Sequence, residues 1–424
     1  MIKLYPHQED VLKQTEGQNK VAYYLDMGLG KTFVGSEKML QLNSDINLVI
    51  CQKSKVDDWI DHFKTYYKYT VLNYTDNKVR KKIINEHYEF PNGVVIVINY
   101  ELAWRRKELE FLQDFTLLLD ESSLIQNSSA KQTKFIINKL KPKNVILLSG
   151  TPCSGKYENL WTQAKLLNWD IKEKLFLDQY VNFKKIDVGG VPIKIVDKRN
   201  PYKNQARLRN KFKDHGAIFM KTDEVFDLPS QTFSKIRVPV NKEYKDFEKN
   251  SIVIVEGTEL IGNTTLTQML YLRQLCGQYS EEKLNALSEL LESTNDRVII
   301  FYNFNNELDQ LIEVCETLNK PVSQVNGHVK NLTAYENEEN SVTLCQYQAA
   351  SKGLNLQKAN KLVYFTPTLS VENYMQSQKR IHRIGQDQPC FYYQLICKGS
   401  IEQDIYKALE RGVDFTDKLF IHRK

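Results

Sequence analysis

Short apolar runs recur along the first third of the chain, and each run ends in small or polar residues. They cover residues 21–26, 46–52, 93–100, 115–121 and 144–150, with segments of helical spacing between them. This alternation predicts a mostly parallel sheet with helices on both faces, in which ligands bind beyond the carboxyl ends of the strands. The polar residues that follow each run are therefore the candidate functional residues.

A second series of the same kind begins near residue 296, with runs at 296–304, 340–348, 360–368 and 390–399. Between the two series the pattern weakens, and residues from about 166 to 230 hold glycines, prolines and many charges. We predict an insertion of helices and a small hairpin there, leading into a linker at 227–233. The predicted fold class is α/β, with one domain at 1–232 and a second at 233–424.

Composition narrows the class of protein without indicating a function. The 424 residues are 42% hydrophobic, which is enough for a sizeable core, and the net charge of +6 is compatible with a polyanionic partner. Seven cysteines without a C-x-x-C pair argue against a disulfide framework or a zinc site, and favour a reducing cytosol. No apolar run approaches the roughly 20 residues of a membrane span, and the N-terminus lacks a signal-peptide pattern. We expect a cytoplasmic protein with no membrane partner.

The first apolar run leads into a glycine-rich loop with the sequence LDMGLGKT. Gly28 and Gly30 allow the backbone to approach a phosphate, and Lys31 supplies a positive charge for the β- and γ-phosphates. Thr32 offers a hydroxyl to Mg²⁺ and opens the next helix, whose N-terminus favours anions. Leu25 stands where the strict phosphate-loop pattern has glycine, so a tight turn with an exposed lysine is the alternative. The predicted nucleotide-binding residues of the loop are Met27, Gly28, Leu29, Gly30, Lys31 and Thr32.

The fourth apolar run ends in an acidic pair, Asp120 and Glu121. An enzyme with a phosphate loop needs a carboxylate for Mg²⁺ and a group that orients and deprotonates the attacking water. We assign Asp120 to the metal and the nucleotide, and Glu121 to the water. An acidic pair at a strand end is more often structural, but a phosphate loop in the same predicted sheet favours the catalytic interpretation.

Further motifs follow in a consistent order. Residues 147–152 read LLSGTP, residues 348–360 read QAASKGLNLQKAN and residues 374–386 read YMQSQKRIHRIGQ. Together with DMGLGKT, they resemble the Swi/Snf branch of the superfamily two nucleic-acid-dependent ATPases, over nearly the whole chain. The resemblance implies two RecA-like domains with ATP in the cleft between them, and Mg²⁺ as the metal. It also implies that Gln8 reads the adenine and that Ser149 and Thr151 couple the nucleotide state to the DNA path.

The same resemblance implies that the second domain contributes Gln376, Arg380 and Arg383 to catalysis. The two arginines would reach the γ-phosphate, because a planar guanidinium matches the charge that spreads over the γ-phosphoryl oxygens in the transition state. Taken alone, the sequence QKRIHR would instead indicate a solvated basic helix.

DNA, single-stranded or duplex, is the expected partner. Contacts along its backbone need hydroxyls, amides, helix N-termini and cations, although each such residue could equally cap a loop. Strand separation would also need a pin or wedge, for which the insertion at 166–230 is the candidate. By motif position, the candidate contacts are Lys53, Ser54, Asn99, Tyr100, Gln348, Ser351, Lys352, Gly353 and Asn355.

Ser122 and Ser123 depart from the family pattern, which usually has Ala-His or Gly-His after the acidic pair. Ser123 cannot titrate near neutral pH, so we expect hydrolysis to survive while another contact carries the coupling. The size suits a compact phage or bacterial member that acts in replication, recombination or repair, in a bacterial cell or a phage-infected host cell. We expect a monomer, with proteins of those processes as further partners.

Three alternatives stay open at this point. The first is an RNA helicase. The second is a non-catalytic DNA clamp, which would be expected to lack Lys31, Glu121 or an arginine of the second domain, although all are present. The third is a phosphate-loop enzyme of another class, such as a small-molecule kinase, which would not explain the second half of the chain.

Overall fold

The computed structural model describes residues 3–85, 93–188, 191–350 and 354–420. The chain divides into two units: unit 1 is Met1–Val225 together with Asp414–Lys424, and unit 2 is Phe226–Val413. In the ranges that the structure describes, no helix combines the length and the apolar character that a membrane crossing requires.

Unit 1 is built on a seven-stranded sheet. Its helices are α1 Pro6–Gln14, α2 Lys31–Leu42, α3 Val56–Tyr66, α4 Asn77–Asn85, α5 Tyr100–Ala103, α6 Lys131–Asn138, α7 Trp161–Leu166, α8 Glu173–Tyr180 and α9 Gln205–Asp214. Its strands are β1 Lys20–Leu25, β2 Ile46–Cys51, β3 Thr70–Asn73, β4 Val94–Asn99, β5 Thr116–Asp120, β6 Asn144–Leu148, β7 Phe183–Val188, β8 Val191–Val196 and β9 Ala217–Met220.

The sheet of unit 1 has the strand order β3-β4-β2-β5-β6-β1-β9, and all neighbouring strands are parallel. Strands β4 and β6 are buried at every position, and β1 and β2 at every position but the first. Continuous burial of this kind explains why the apolar runs do not alternate with polar residues. Strands β5, β6 and β1 are neighbours, so the motif residues that follow them meet at one edge of the sheet.

Unit 2 carries the second seven-stranded sheet. Its strands are β10 Gln231–Val238, β11 Ile252–Val255, β12 Thr258–Ile261, β13 Val298–Tyr302, β14 Val322–Val325, β15 Lys330–Asn331, β16 Val342–Gln346, β17 Lys361–Tyr364 and β18 Cys390–Cys397. Its helices are α10 Lys242–Asn250, α11 Thr265–Cys276, α12 Glu281–Glu292, α13 Asn305–Thr317, α14 Thr333–Asn337, α15 Tyr347–Ala350, α16 Val371–Gln378 and α17 Ile401–Phe420, whose last residues belong to unit 1.

The sheet of unit 2 has the order β10-β18-β17-β13-β16-β14-β15 and is parallel except at the β14–β15 edge. The two sheets, with their flanking helices, confirm the predicted α/β class. All seven cysteines lie buried as free thiols, as expected in the absence of a disulfide framework.

The insertion and the domain limits differ in part from the prediction. The insertion holds the predicted helices and hairpin, formed by β7 and β8, but its range also includes β9, which pairs with β1 in the main sheet. The predicted linker at 227–233 overlaps β10, which pairs with β18 from Gln231 onward. The division after Val225 reflects this pairing. The segment from Asp414 onward belongs to unit 1 again. Within it, Thr416 is buried, and its Oγ1 accepts a hydrogen bond of 3.0 Å from the Gly155 N–H.

Candidate functional site

The glycine-rich loop joins β1 to α2 in unit 1. Gly28 has a φ of 90° and Gly30 a φ of 73°, in the left-handed region where glycine is the least strained residue. Lys31 Nζ donates to the carbonyl oxygens of Leu25 at 2.9 Å and Asp26 at 3.2 Å, so the loop wraps around its own cation. Helix α2 begins at Lys31, and the first N–H groups of a helix are available to an anion.

Gln8 lies against this loop. Its Oε1 accepts a hydrogen bond of 2.9 Å from the N–H of Tyr5, and its Nε2 donates to the carbonyl of Leu29 at 3.2 Å. A Cβ at position 30 would lie 2.1 Å from Gln8 Nε2, so this close approach also requires Gly30. The structure thus brings Gln8 to the loop, while adenine recognition stays a prediction.

The acidic pair lies where β5 ends. Asp120 is the last residue of β5, and Glu121 has a φ of 52°, a left-handed conformation that costs energy in a residue other than glycine. Asp120 Oδ2 accepts a hydrogen bond of 2.9 Å from the indole Nε1 of Trp59. Burial raises the pKa of Asp120, whereas this hydrogen bond and the charge of Lys31 oppose the rise. The metal and loop candidates therefore lie close enough for their charges to interact.

The loop after β6 completes the cluster. Ser149 Oγ donates to Glu121 Oε2 at 3.3 Å and accepts from the Thr151 N–H at 3.1 Å. A Cβ at position 150 would lie 3.5 Å from Lys31 Nζ and 3.5 Å from a side-chain carbon of Met27. Ser149 thus contacts the acidic pair, and the neighbouring Gly150 lies beside the phosphate loop.

These residues fit a magnesium–nucleoside triphosphate. The donors of the loop are N–H groups and an ammonium, which suit phosphate oxygens, and the left-handed glycines keep the backbone open to close approach. Thr32 and Asp120 would offer the oxygen ligands that Mg²⁺ prefers. The metal would neutralise charge on the β- and γ-phosphates, and Glu121 would orient the attacking water.

Three supporting residues have no signal in the sequence motifs. Trp59 lies on α3, far from Asp120 along the chain. Gln163 on α7 donates to the carbonyl of Pro152 at 2.7 Å and accepts from the hydroxyls of Ser122 at 2.8 Å and Tyr24 at 3.0 Å. Thr222 donates to Asp26 Oδ2 at 3.0 Å and so supports the phosphate loop. Contacts between residues so distant in sequence require the folded sheet.

The candidate DNA contacts of unit 1 fall into two groups. Lys53 and Ser54 are exposed in a short 3-10 helix after β2. Asn99 and Tyr100 are buried, with exposures of 3% and 1%. The Tyr100 hydroxyl donates to the Asp120 carbonyl at 2.9 Å, and Asn99 Nδ2 donates to Glu101 at 2.6 Å. Asn99 and Tyr100 therefore support the acidic pair or its surroundings, and their contact with DNA stays a prediction.

The predicted catalytic residues of unit 2 lie on and after α16. Gln376 is buried, and its Nε2 donates to Glu372 at 3.1 Å. Arg380 is 2% exposed and donates to the Leu354 carbonyl at 3.0 Å. Arg383 is half-buried and donates to the same carbonyl at 3.5 Å. Both arginines therefore contact the backbone at Leu354. Burial lowers the pKa of Arg383 from its usual value.

The remaining candidate contacts lie between residues 348 and 355. Gln348 is exposed on α15, and the exposed Asn355 accepts a hydrogen bond from Arg383 through its Oδ1. The candidates Ser351, Lys352 and Gly353 lie outside the described residues.

Several known proteins are similar to this chain over nearly all of its length. YwqA of Bacillus subtilis is 26% identical, over 93% of this chain and 46% of its own length. The ISWI chromatin-remodeling complex ATPase ISW1 of Saccharomyces cerevisiae is 23% identical, over 93% of this chain and 38% of its own length. The chain thus spans less than half the length of these curated relatives.

Among solved structures, the Sulfolobus solfataricus SWI2/SNF2 ATPase core in complex with dsDNA is similar, with a TM-score of 0.47 and 20% sequence identity. The likeness covers 98% of this chain and 92% of that one.

Two family models cover most of the sequence. The SNF2-related domain matches residues 24–281, more than half of the chain, and the helicase conserved C-terminal domain matches residues 282–385. The first match contains the phosphate loop and the acidic pair, and the second contains the arginines of unit 2. This confirms the predicted Swi/Snf resemblance: the chain belongs to the SNF2-related family, with a helicase C-terminal domain following the SNF2-related domain.

Proposed function

We propose that this chain is a DNA-dependent ATPase that couples ATP hydrolysis to movement along DNA or to its unwinding. The observation that carries the proposal is the cluster at one edge of the first sheet, where Lys31, Asp120 and the Glu121–Ser149 contact meet. ATP and Mg²⁺ are the proposed cofactors. Family membership and the name of the yeast relative, a chromatin-remodeling complex ATPase, support DNA as the polymer.

Arg380 and Arg383 are proposed to stabilise the γ-phosphoryl group during transfer. Replication, recombination or repair is the proposed setting. An RNA helicase and a non-catalytic clamp are the rival functions, and both give distinct results in the same assay.

ATPase rates measured with single-stranded, forked and blunt duplex DNA, and with RNA, test the proposal. We expect stimulation by DNA of at least severalfold, as in enzymes that assemble their catalytic site on closure. Lys31→Ala should abolish nucleotide binding or turnover and serves as the background control. A rate that ignores DNA contradicts the proposal, stimulation by RNA alone favours the RNA helicase, and DNA binding without turnover favours the clamp.

A further inference from the structure

The insertion of unit 1 carries a two-stranded ribbon, β7 and β8, that belongs to neither seven-stranded sheet. A ribbon of this kind is at best marginally stable alone in water, so it needs an anchor. At its root, Phe183 lies opposite Val196, and both pack against the core of unit 1. The Asp197 N–H donates to the Asn182 carbonyl at 2.8 Å and closes the root. The ribbon is therefore held at one end, and most of its described side chains beyond the root are exposed.

Because side chains alternate along a strand, the ribbon has two different faces. On the basic face, Lys185 lies directly opposite Lys194. On the apolar face, Ile186 lies opposite Ile193, with Val191 next along the same side. Lys184, which pairs with Ile195, lies at the root end of this face. Val191 is 60% exposed and Ile193 is 43% exposed, so the apolar face presents aliphatic surface to water.

The ribbon also has a surplus of positive charge. Residues 182–200 hold five cationic and two acidic side chains. Like charges directly opposite one another on a ribbon repel. The repulsion on Lys194 is offset because its Nζ lies 3.3 Å from Asp178 Oδ1 and 4.3 Å from the centre of the Phe183 ring. Among the residues that the structure describes, no carboxylate lies within ion-pair distance of the exposed Lys184 and Lys185. An anionic partner would stabilise this arrangement.

We propose that the β7–β8 ribbon contacts DNA at the junction between duplex and single strands. Lys185 on the basic face and Lys184 at the root end of the apolar face would contact phosphates. The aliphatic side chains of Ile186, Val191 and Ile193 would pack against bases at the junction. The charge surplus fits a polyanion, aliphatic side chains can wedge against base steps, and a two-stranded ribbon is narrow enough for the major groove. This inference rests on the proposed function and makes it more specific, since it names the element that distinguishes a fork from plain duplex.

Equilibrium binding of the full chain to forked and blunt DNA of equal length, at several salt concentrations, tests the inference. The double variant Val191→Ser/Ile193→Ser should weaken fork binding about tenfold, because it removes the wedge, and should leave blunt-duplex binding within about twofold. The double variant Lys184→Gln/Lys185→Gln should weaken binding to both DNAs. It should also lower the slope of log affinity against log salt by about two, one unit for each lost phosphate contact.

Unit 2 offers matched controls. Ile252→Ser/Ile254→Ser changes two exposed aliphatic residues of another ribbon, β11–β12, and Lys245→Gln/Lys249→Gln removes two exposed charges from α10. Neither control should alter fork preference. If the Val191→Ser/Ile193→Ser variant keeps full fork affinity, or loses affinity for both DNAs equally, the wedge assignment is wrong. An unchanged salt slope in the Lys184→Gln/Lys185→Gln variant would instead point to a protein partner for the ribbon and overturn the DNA contact.

Failure of the ribbon and failure of the proposed function are distinguishable. A wild-type chain whose ATPase rate ignores every DNA contradicts the proposed function. A DNA-stimulated wild type whose ribbon variants bind forks normally contradicts the ribbon contact alone.

Discussion

The two units place ionisable side chains in different parts of their folds. In unit 1, Asp120 lies at the end of a sheet strand, and its Oδ2 accepts a hydrogen bond from the neutral indole of Trp59. In unit 2, Lys283 and Glu402 form an ion pair of 2.6 Å, with side-chain exposures of 0% and 1%. The Asp120 carboxyl has a neutral hydrogen-bond donor and, within the described ranges, is not matched by a protein cation at ion-pair distance, whereas the two ions of the Lys283–Glu402 pair neutralise each other inside the fold.

Glu307 in unit 2 shows the structural use of a buried carboxyl group most clearly. Its Oε2 accepts hydrogen bonds from the N–H groups of Asn303 at 2.9 Å and Phe304 at 3.0 Å, and from the Thr366 hydroxyl at 3.0 Å. Its Oε1 has no hydrogen-bond partner in the described part of the chain. A Cβ added at Gly277 would lie only 2.0 Å from this oxygen. Burial alone therefore does not mark a catalytic carboxylate; position at the end of a parallel strand is the better guide.

The largest expected effect tests the acidic pair of unit 1. Glu121→Gln should keep ATP binding and lower the hydrolysis rate by about 10²- to 10⁴-fold, because the amide cannot accept the proton of the attacking water. Steady-state ATPase rates and equilibrium nucleotide binding measure the two quantities separately. The control is Glu110→Gln, a partly exposed carboxylate of the same unit that should change neither. If hydrolysis survives in Glu121→Gln, the strand-end carboxylate is not the base.

The second effect concerns Arg383, a half-buried charge of unit 2 to which we assign chemistry. Arg383→Ala should leave ATP affinity nearly intact and lower turnover by about 10³-fold or more, as loss of an arginine finger does. Arg380→Ala should lose turnover and also about 1–3 kcal/mol of unfolding free energy, because the buried Leu354 carbonyl loses a donor. ATPase rates together with thermal unfolding separate the two arginines. If Arg383→Ala turns over ATP at the normal rate, Arg383 has a structural role and no catalytic one.

A smaller effect, on stability, tests the interior carboxylate of unit 2. Burial raises the pKa of Glu307 to about 7, so the folded chain holds a proton that the unfolded chain releases near its ordinary pKa. Stability should therefore be greatest at low pH and fall as the pH rises from about 4.5 to about 7, by roughly 3 kcal/mol in total.

Glu307→Gln removes this titration while keeping an oxygen for the three donors. We would measure the free energy of unfolding from pH 5 to pH 8. The variant should be about as stable as wild type at pH 5 and more stable than wild type at pH 8. The control is Glu313→Gln, which changes an exposed carboxylate on the same helix α13. A difference between variant and wild type that does not change with pH would show that Glu307 is not protonated in the folded chain.

The sequence predicts best where burial is continuous. The apolar run at 93–100 appears as β4 Val94–Asn99, and the run at 144–150 as β6 Asn144–Leu148. The phosphate loop and the acidic pair follow such strands, so their approach to one another could be predicted from the order of the motifs and the rule for parallel sheets.

The remaining elements lack that signal for physical reasons. Strand β10 is exposed at most positions, so its residues show no apolar run and resemble a linker. Strand β9 has four residues, too few for a period. The bond from Trp59 to Asp120 joins residues 61 positions apart, and the Gln163 contacts depend on where α7 packs. Such contacts are set by tertiary packing, which no local spacing encodes.

The smallest expected effect concerns Ser122 and Ser123, the two serines after the acidic pair. They test whether a neutral buried side chain in unit 1 supports the site through a hydrogen bond. Both are fully buried; Ser122 Oγ donates to Gln163 at 2.8 Å, whereas Ser123 Oγ lacks a partner among the described residues. Ser122→Ala should therefore cost about 1 kcal/mol of unfolding free energy, and Ser123→Ala should cost nothing or stabilise the chain slightly. Ser123→His, which restores the residue usual in relatives, should overpack the site and cost about 1–3 kcal/mol of unfolding free energy.

Chemical denaturation measures the stability of all three variants, and the ratio of ATPase rates with and without DNA reports on coupling. If Ser123→Ala lowers that ratio while Ser122→Ala does not, Ser123 carries the coupling and its hydroxyl acts on a ligand rather than on the fold.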